Sequence, residues 1–430
     1  MKFMNVKNIV ISITVLLTVV SAQVTYNVSG VVELEDQTGS SADHSGVKMK
    51  FFNLPSMDPE DSTTTNTNGT YSINVSPGYY LVEWTKDGYV PWELGGLSLA
   101  ANTVLDTVIM IPGEVSEVSG TISTTTWTTS YVYHVTDDIT INAGETLTIN
   151  PGVRVKFYEG KGMTVNGKLL ANGTADEHVL FTSKEPTPLP GDWDNIELNG
   201  RDNNLTYVDY NYASDGITGS SVDHTTIDHL TIQGNLALSA RGIYFTSGDS
   251  LTLTNNYISV AGDYAIYAYY ADYSDISSNT IITPSYGIRA YDCDYCSINE
   301  NNINSGDGTT GPTYGISADQ SSEIKVLNNT LVANDHGIYV PSSFKATINQ
   351  NNITGRIYWN GINVTSSDSS SVQKNYVNRT IKNGNDWNNW KYLINGDNSE
   401  GSVFKKDTLI NKVSLIILDP SELSPLIIYR

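Results

Sequence analysis

The sequence predicts an all-β protein, most of which is a solenoid built from one repeated unit. The first observation is a Gly-Ile pair, or a close variant of it, that recurs every 21 to 28 residues in eight copies. The copies begin at Asn195, Gly216, Gly242, Ala265, Gly287, Gly315, Gly337 and Gly361. The second observation is the composition between the copies, which is rich in Ser, Thr, Asn, Asp, Tyr and Gly and poor in helix formers. A period of this length indicates a solenoid, and this composition indicates strands and turns.

A second marker supports the same register. It lies fourteen positions after the start of each of the last seven copies, and thirteen after the start of the first, which is one residue shorter. The marker residues are Val208, Leu230, Asn256, Asn279, Asn301, Asn329, Asn351 and Asn375. An apolar residue, most often Ile, follows two positions later in every copy.

Two solenoids have this period, the leucine-rich repeat and the parallel β-helix. The run Leu251-Thr-Leu253-Thr-Asn-Asn256-Tyr-Ile258 fits the strand signature of a leucine-rich repeat. Most other copies lack its first Leu and carry Ser274, Cys296, Ala346 or Ser370 there. The segments between copies also lack helix formers, so the β-helix is the favoured interpretation.

A parallel β-helix explains each recurrent position. Successive coils stack at the ordinary strand spacing of about 4.8 Å, and alternation along a strand points the Ile and the small or apolar residue two positions later inward. The Asn marker then forms a ladder inside a bend, in which each amide donates to one neighbouring coil and accepts from the other. We expect this column to be structural rather than a binding site.

The pattern Gly-Ile-Tyr … Ile-x-x-Asn-x-Ile resembles the repeats of the pectin-lyase-like superfamily, which includes right-handed parallel β-helix proteins of bacterial surfaces. The resemblance implies the right-handed fold. It does not decide the activity, because that superfamily contains lyases, hydrolases, epimerases, phage tailspikes and adhesins.

The first residues are expected to be a signal peptide, residues 1–22. Lys2 and Lys7 precede an apolar run from Ile9 to Val20, which is too short to span a bilayer well. Small residues at Val20-Ser21-Ala22 suggest cleavage after Ala22. We therefore expect a protein that is secreted or held at the cell surface, with no membrane span.

Residues 24–112 are predicted to form an Ig-like β-sandwich. Alternating stretches such as Tyr71-Ser-Ile-Asn-Val75 and Tyr80-Leu-Val-Glu-Trp84 read as strands, and Asn68-Gly69 reads as a hairpin turn. The run Thr-Asn-Gly-Thr-Tyr-Ser … Pro-Gly-Tyr-Tyr … Lys-Asp-Gly-Tyr-Val-Pro resembles the carboxypeptidase regulatory-like domain. That family shares a fold with starch-binding modules, and the resemblance implies no catalytic residues here.

The remaining chain divides into three parts. Residues 113–130 are expected to be a linker. Residues 131–378 are expected to be the β-helix, with regular coils from 193. Residues 379–430, which include Trp387 and Trp390, are expected to be either a cap over the exposed strand edge of the last coil or a truncated end.

The formal net charge is −22, from 46 acidic and 24 basic residues. This charge excludes nucleic acid and anionic membranes as expected partners, and it favours divalent cations. The two cysteines, Cys293 and Cys296, lie in one coil. Cys296 can simply fill an inward position, or the pair can form a local disulfide or bind metal, although no third ligand is close in sequence.

The strand that begins with Gly-Ile is expected to present a sugar-binding surface. Its second and fourth positions after the start should face outward and carry Tyr244, Tyr267, Tyr269, Arg289, Tyr291, Asp319 and Tyr339 on neighbouring coils. Aromatic rings beside carboxylates suit a sugar chain. Tyrosines on adjacent strands also stabilise a sheet without any ligand, and the sequence leaves both interpretations open.

The seventh position after the start of each copy is rich in Asp. It carries Asp202, Asp223, Asp249, Asp272, Asp294 and Asp368, whereas Ser322 and Phe344 interrupt the column. One interpretation is a turn residue whose carboxylate accepts local backbone N–H groups. The other is a row of carboxylates that shares Ca²⁺, for which Asp249, Asp272, Asp292 and Asp294 are the candidates.

Catalytic residues are harder to assign. Lyases of the resembled superfamily use clustered Asp with Ca²⁺ and an Arg or Lys base, which makes Arg289 the candidate base. Its hydrolases use paired Asp with Gly-His-Gly and Arg-x-Lys motifs, of which only Asp335-His336-Gly337 has a partial counterpart, and His336 reads as a turn residue. His224 and His229 lack a third metal ligand nearby.

The sequence thus favours an exported, non-catalytic protein that binds a polysaccharide or cell-surface glycan through the β-helix, with Ca²⁺ as the candidate cofactor. The alternative is a polysaccharide lyase or glycoside hydrolase.

Overall fold

The computed structural model describes most of the chain as strands and turns. The described residues are 24–379 except 55, 186–187, 234–236, 238–239, 306–310, 334 and 356, together with 394–396, 399, 402–405, 408–410, 415–416 and 427–429. The expected signal peptide and most of the segment 379–430 lie outside them. Among the described residues no helix is present that could cross a membrane.

The chain divides into two compact units, and the first comprises residues up to 87 together with 91–111. It contains two four-stranded sheets, and their mainly antiparallel pairing agrees with the predicted sandwich. The strands are β1 Tyr26–Leu34, β2 Lys48–Asn53, β3 Asp58–Thr64, β4 Thr70–Val75, β5 Gly78–Thr85, β6 Trp92–Leu99, β7 Thr103–Val104 and β8 Val108–Met110. Along β5 the residues Tyr80, Val82 and Trp84 are buried and alternate with more exposed ones, as a half-buried strand requires.

The Asn68-Gly69 turn is present, but it does not close a hairpin. Gly69 has φ of 74°, and its N–H donates to the carbonyl of Asn66. The strands on either side belong to different sheets, because β4 pairs with β1 whereas β3 pairs with β2. The turn signal in the sequence was therefore right about the local conformation and wrong about the pairing, which depends on distant residues.

The second unit is a solenoid of parallel strands that begins before the expected boundary. The stretch expected to be a linker, 113–130, contains β9 Glu114–Ile122 and β10 Thr125–Trp127. β9 pairs in parallel with β11, Tyr131–Ile141, and β10 pairs in parallel with β12, Thr146–Ile149. These residues therefore belong to the first coils rather than to a linker.

Each regular coil contributes one strand to each of three parallel sheets. The first sheet contains the Gly-Ile strands: β14 Met163–Val165, β17 Ile196–Leu198, β19 Ile217–Gly219, β21 Ile243–Phe245, β24 Tyr264–Tyr269, β27 Tyr286–Tyr291, β30 Tyr314–Asp319, β33 His336–Tyr339, β36 Asn360–Asn363, β39 Ile394–Asn395 and β42 Leu415–Ile416.

The second sheet continues from β10 and β12 through β15 Lys168–Asn172, the first part of β18 Asn204–Tyr210 and of β20 Thr226–Gln233, β22 Thr252–Thr254, β25 Asp275–Ser277, β28 Ser297–Asn299, β31 Lys325–Leu327, β34 Thr347–Asn349, β37 Ser371–Gln373 and β40 Val403–Lys405.

The third sheet contains β13 Arg154–Phe157, β16 Val179–Ser183, the last part of β18 and of β20, β23 Tyr257–Ser259, β26 Thr280–Ile282, β29 Asn302–Asn304, β32 Thr330–Ala333, β35 Asn352–Gly355, β38 Tyr376–Arg379, β41 Thr408–Ile410 and β43 Ile427–Tyr429.

The predicted register of all eight copies is confirmed. Each Ile of the Gly-Ile pair lies beside that of the next copy, from Ile196 to Ile362. All eight are fully buried in one continuous core. Burying an Ile in every coil stabilises the stack by about 1.5–3 kcal/mol per side chain before entropy is counted.

The Asn ladder is also confirmed. The side-chain oxygen of Asn301 accepts from the backbone N–H of Asn279 at 3.0 Å and from its side-chain amide at 2.9 Å. The amide of Asn301 donates to the oxygen of Asn329 at 3.0 Å and to the carbonyl of Ile276 at 2.9 Å. The same bonds join Asn256, Asn279, Asn329, Asn351 and Asn375 to their neighbours.

The bends between the three sheets use left-handed backbone at fixed places. One such position is the eighth after the start of each of the last seven copies and the seventh after the start of the shorter first copy. It holds Asp202, His224, Ser250, Tyr273, Tyr295, Glu323, Lys345 and Ser369, all with φ between 52° and 59°. We call these eight residues the turn column. Non-glycine residues seldom adopt this conformation, so the column marks a bend that the stack imposes on whatever residue stands there.

Candidate functional site

The outward surface of the first sheet is covered by tyrosines, as predicted. Tyr244, Tyr267, Tyr269, Tyr291 and Tyr339 all point away from the core and are half-buried by one another. The rings of Tyr244 and Tyr267, on adjacent coils, are stacked with centroids 4.7 Å apart and planes 11° apart. Those of Tyr269 and Tyr291 lie 5.0 Å apart and are tilted by 54°.

A second aromatic column, which sequence reasoning missed, lies beside the first. Tyr264, Tyr286, Tyr314 and His336 occupy the position immediately before each Gly-Ile pair, and they pair with one another in register. Tyr286 and Tyr314 stack at 4.7 Å with planes 4° apart, and Tyr314 and His336 at 4.8 Å with planes 11° apart. We call these four residues, with Tyr244, Tyr267, Tyr269, Arg289, Tyr291, Asp319 and Tyr339, the tyrosine face.

The second column was missed because alternation breaks at the Gly-Ile pair. Gly287 and Ile288 are both buried, so the residue before the pair returns to the outside. The backbones approach closely there, because a Cβ added to Gly287 would lie 2.4 Å from the carbonyl oxygen of Gly315. The recurrence of Tyr before three successive copies was a signal in the sequence that could have revealed the column.

Arg289 lies in the middle of the tyrosine face. Its guanidinium carbon is 5.7–6.0 Å from the ring centroids of Tyr264, Tyr267, Tyr286 and Tyr291. One amino group donates to the hydroxyl of Tyr264 at 3.3 Å, and another lies 3.6 Å from the carboxylate of Asp319. The sequence placed Arg289 near Asp292 and Asp294, but its ion-pair partner in the structure is Asp319 on the next coil.

The electrostatics of this pair do not suit a catalytic base. Burial opposes the charged guanidinium, but the hydrogen bond with Tyr264 and the charges around it outweigh burial and raise the pKa of Arg289 above its usual value. Burial also raises the pKa of Asp319, against the opposing effects of Arg289 and of Ser317, whose hydroxyl donates to it at 3.3 Å. Arg289 is therefore protonated at neutral pH.

His336 belongs to the tyrosine face rather than to a turn, which corrects the expectation from sequence. It is the first residue of β33, it is 9 % exposed, and its ring stacks on Tyr314. Its Nδ1 is buried and has no hydrogen-bond partner among the described residues. Burial lowers the pKa of His336 to about 4, so the imidazole is neutral at neutral pH.

The carboxylates of the Asp column accept backbone N–H groups, but from the neighbouring coil rather than locally as the turn interpretation expected. The backbone N–H of Asp272 donates to the carboxylate of Asp249 at 3.1 Å, and that of Asp294 donates to Asp272 at 2.8 Å. Each carboxylate thus accepts from the next coil rather than from its own turn. Burial and the charges of Asp294, Asp249 and Asp292 raise the pKa of Asp272. In the described part of the chain, no three His, Cys, Asp or Glu side chains are placed so as to hold a metal ion.

Asp202 does not belong to this column, contrary to the sequence alignment. Its N–H donates to the carbonyl of Asp223, the same bond that His224 makes to Asp249 and that Tyr273 makes to Asp294. It is therefore the first member of the turn column. The residue missing from the first copy lies before Asp202, whereas the alignment placed it after.

The remaining candidates lie apart from the tyrosine face. Cys293 and Cys296 are fully buried and form a disulfide, which settles between the interpretations left open by the sequence. His229 contacts Asp228 at 2.7 Å and stacks on Tyr207. Nδ1 of His224 lies 3.0 Å from an amino group of Arg201.

Two protein families match this chain. The family described as the right handed beta helix region matches residues 215–377, and that described as the pectate-lyase like beta helix domain matches residues 120–207. With the parallel stack described above, these matches show that the protein is a right-handed parallel β-helix protein.

Individual relatives are similar only in part. The chain is 29% identical over 119 residues to the protein bark beetle of Drosophila melanogaster, a match that covers 26% of this chain and 4% of that protein. DFA-IIIase from Arthrobacter chlorophenolicus A6 has a TM-score of 0.43 and 12% identity, over 64% of this chain and 82% of that one. Alginate lyase from Paenibacillus sp. FPU-7 has a TM-score of 0.32 and 16% identity, over 57% and 93%.

Proposed function

We propose that this protein binds an extended polysaccharide without cleaving it, through the tyrosine face. The observation that carries the proposal is the continuity of the second column, in which Tyr264, Tyr286, Tyr314 and His336 place an aromatic ring on four successive coils. Beside it, the rest of the tyrosine face adds tyrosines on the same coils, interrupted by Arg289 and Asp319. A chain of sugars laid along the solenoid axis meets an aromatic ring of the second column on each of these four coils. Repetition of this kind suits a repetitive polymer.

The contacts would be made by ring edges and hydroxyl groups rather than by ring faces. Tyr286 has Tyr264 on one side and Tyr314 on the other, so both of its faces are covered. What such a ring offers to solvent is its phenolic edge, which both donates and accepts hydrogen bonds. Sugar hydroxyls match that edge. This differs from the face-on stacking that the sequence suggested.

Binding is preferred to lysis because of the state of Arg289. A guanidinium that lies beside Asp319 and whose pKa is raised is a poorer proton acceptor than a free one, which disfavours a role as base. Its role in this proposal is to hold Tyr264 and Asp319 in place.

A glycoside hydrolase is the second candidate, and one observation favours it. Burial raises the pKa of both Asp319 and Asp335, and hydrolysis of a glycosidic bond needs one carboxyl group that stays protonated near neutral pH. Asp335 precedes His336 at one margin of the tyrosine face. The test below therefore includes a readout for cleavage.

The test is a glycan array followed by titration calorimetry on wild type and two variants. Tyr267→Ala with Tyr269→Ala should weaken binding at least tenfold with little effect on folding, since both side chains point outward. Tyr257→Ala is the matched control, because Tyr257 is an exposed tyrosine on the third sheet. Equal affinities in all three proteins would contradict the proposal.

Cleavage is measured on the same ligands. New reducing ends that Asp319→Asn abolishes would establish the hydrolase instead. Unsaturated products that absorb in the ultraviolet, formed from an acidic polysaccharide and lost in Arg289→Ala, would establish a lyase.

We further propose that the protein is exported, with cleavage after Ala22, because of the charged and apolar pattern at its start. Recovery of the mature chain from culture medium or cell surface, beginning at Gln23, is the check.

A further inference from the structure

The turn column contains an aromatic pair that lies outside the tyrosine face. Tyr273 and Tyr295 stack with centroids 5.0 Å apart and planes only 2° apart. They are 63% and 50% exposed, which is more than any residue of the tyrosine face. The bend itself does not require an aromatic ring, because Ser250, Glu323 and Lys345 adopt the same left-handed conformation.

One face of the Tyr273 ring is open. The stacking occurs between adjacent coils, so Tyr295 covers one face of Tyr273, and the other face is directed toward the preceding coil. The turn column holds only Ser250 on that coil. The next ring in the column is His224, two coil spacings from Tyr273, or about 10 Å. Nδ1 of His224 lies 3.0 Å from an amino group of Arg201 and 4.0 Å from a carboxylate oxygen of Asp202, both on the coil before it.

The turn column therefore has a gap of one coil in its rings, between Tyr273 and the coil of His224, with Ser250 at the level of the gap; we call this gap the slot. Rings stack with centroids about 4.5–7 Å apart, so a single six-membered ring stacked on Tyr273 fits at the level of Ser250. Asp249, which precedes Ser250, is exposed at the margin of the slot.

We propose that this slot binds one pyranose residue that carries no acidic group, stacked on the open face of Tyr273. The stacking requires a flat apolar face, which pyranoses have and which linear polyols lack. The sugar must carry no acidic group, because the carboxylates of Asp223, Asp249 and Asp272 follow one another beside the slot and would repel it. The exposed carboxylate of Asp249 accepts from the hydroxyl groups of the sugar.

The inference rests on the proposed glycan-binding function and names a ligand class and a second place for it. Unlike the tyrosine face, whose rings cover each other, the slot offers a free aromatic face. The two sites are therefore separable by mutation.

The test is titration calorimetry in a chelating buffer with cellohexaose, chitohexaose and hexagalacturonate as probes. Tyr273→Ala should weaken the binding of a neutral or amino-sugar hexamer about tenfold, the upper range for one aromatic contact. Ser250→Tyr should weaken it as much, because the added ring fills the slot. Its backbone already has φ of 58°, close to the 59° of Tyr273, so the variant should fold. Tyr295→Ala is the control, since it leaves the open face of Tyr273 in place and should change affinity less than threefold.

Several outcomes overturn the inference. If the Ser250→Tyr variant binds the hexamer as tightly as wild type or more tightly, the sugar recognises exposed aromatic surface and not a slot. Binding of hexagalacturonate alone removes the charge argument. Loss of binding in Tyr267→Ala with Tyr269→Ala, but in neither slot variant, overturns the slot and leaves the proposed function standing. Absence of binding of all three probes and of any array glycan to wild type overturns both.

Discussion

Replacing Asn301 by Ala should destabilise the β-helix strongly, because Asn301 is buried and its side chain is hydrogen-bonded to both neighbouring coils. The substitution removes the oxygen that accepts from the backbone N–H of Asn279, and this donor is fixed inside the stack. It also removes the amide that donates to Ile276 and Asn329. An unpaired buried donor costs about 1–3 kcal/mol and each of the two further lost bonds about 1 kcal/mol, so the total should be at least about 3 kcal/mol.

The measurement is thermal unfolding followed by circular dichroism. A loss of about 3 kcal/mol should lower Tm by at least about 5 °C in a unit of this size. Asn302→Ala is the matched control, because Asn302 is the next residue, is also an Asn, and is exposed. The reasoning fails if the two variants melt together, since the exposed amide takes no part in the ladder.

Three further predictions concern ions and protons. If the Asp column binds Ca²⁺, saturating Ca²⁺ should raise the Tm of the wild type by mass action. The double variant Asp272→Asn with Asp294→Asn should abolish that rise. A wild-type Tm that does not change with Ca²⁺ would leave the carboxylates with a structural role only. Without Ca²⁺, Asp272→Asn should raise Tm at neutral pH. The pKa of Asp272 is raised in the folded protein, so its charged form lowers the stability of the fold above that pKa. An unchanged or lower Tm would count against repulsion between Asp272 and the neighbouring carboxylates. For His336 the folded pKa, about 4, is below the ordinary value of 6.5, so its penalty is absent above 6.5 and grows as pH falls toward 4. His336→Phe should flatten the fall of Tm across that window, and an identical pH profile would refute the buried neutral imidazole.

The sequence was sufficient for the fold where side chains repeat with the coil. The Ile column and the Asn ladder follow from one period and one alternation rule, and both were predictable down to the residue. Asn301, for example, makes the bonds that its position in the repeat requires.

The sequence was insufficient where the backbone departs from simple alternation. Tyr286 was assigned no role because two consecutive residues, Gly287 and Ile288, turn inward together, and only the approach of neighbouring backbones explains why. Asp202 was assigned to the Asp column instead of the turn column, because the residues around a one-residue deletion in a turn do not show where the deletion lies.

Ion-pair partners that lie on neighbouring coils were also not predicted from the sequence. Arg289 is close to Asp292 and Asp294 along the chain, yet it pairs with Asp319, which is 30 residues away but on the adjacent coil. In a solenoid the neighbour one coil away is as close as a neighbour along the strand, so charges must be compared between copies.

The central claim, that hydroxyl edges of the tyrosine face recognise a glycan, is tested most directly by a triple variant. Tyr267→Phe, Tyr286→Phe and Tyr314→Phe together keep the stacked rings and remove three hydroxyl groups. Calorimetry against the glycan that binds wild type most tightly should show binding weakened at least tenfold, while Tm stays within about 2 °C because the stacks are intact. Undiminished affinity in this variant would contradict the account.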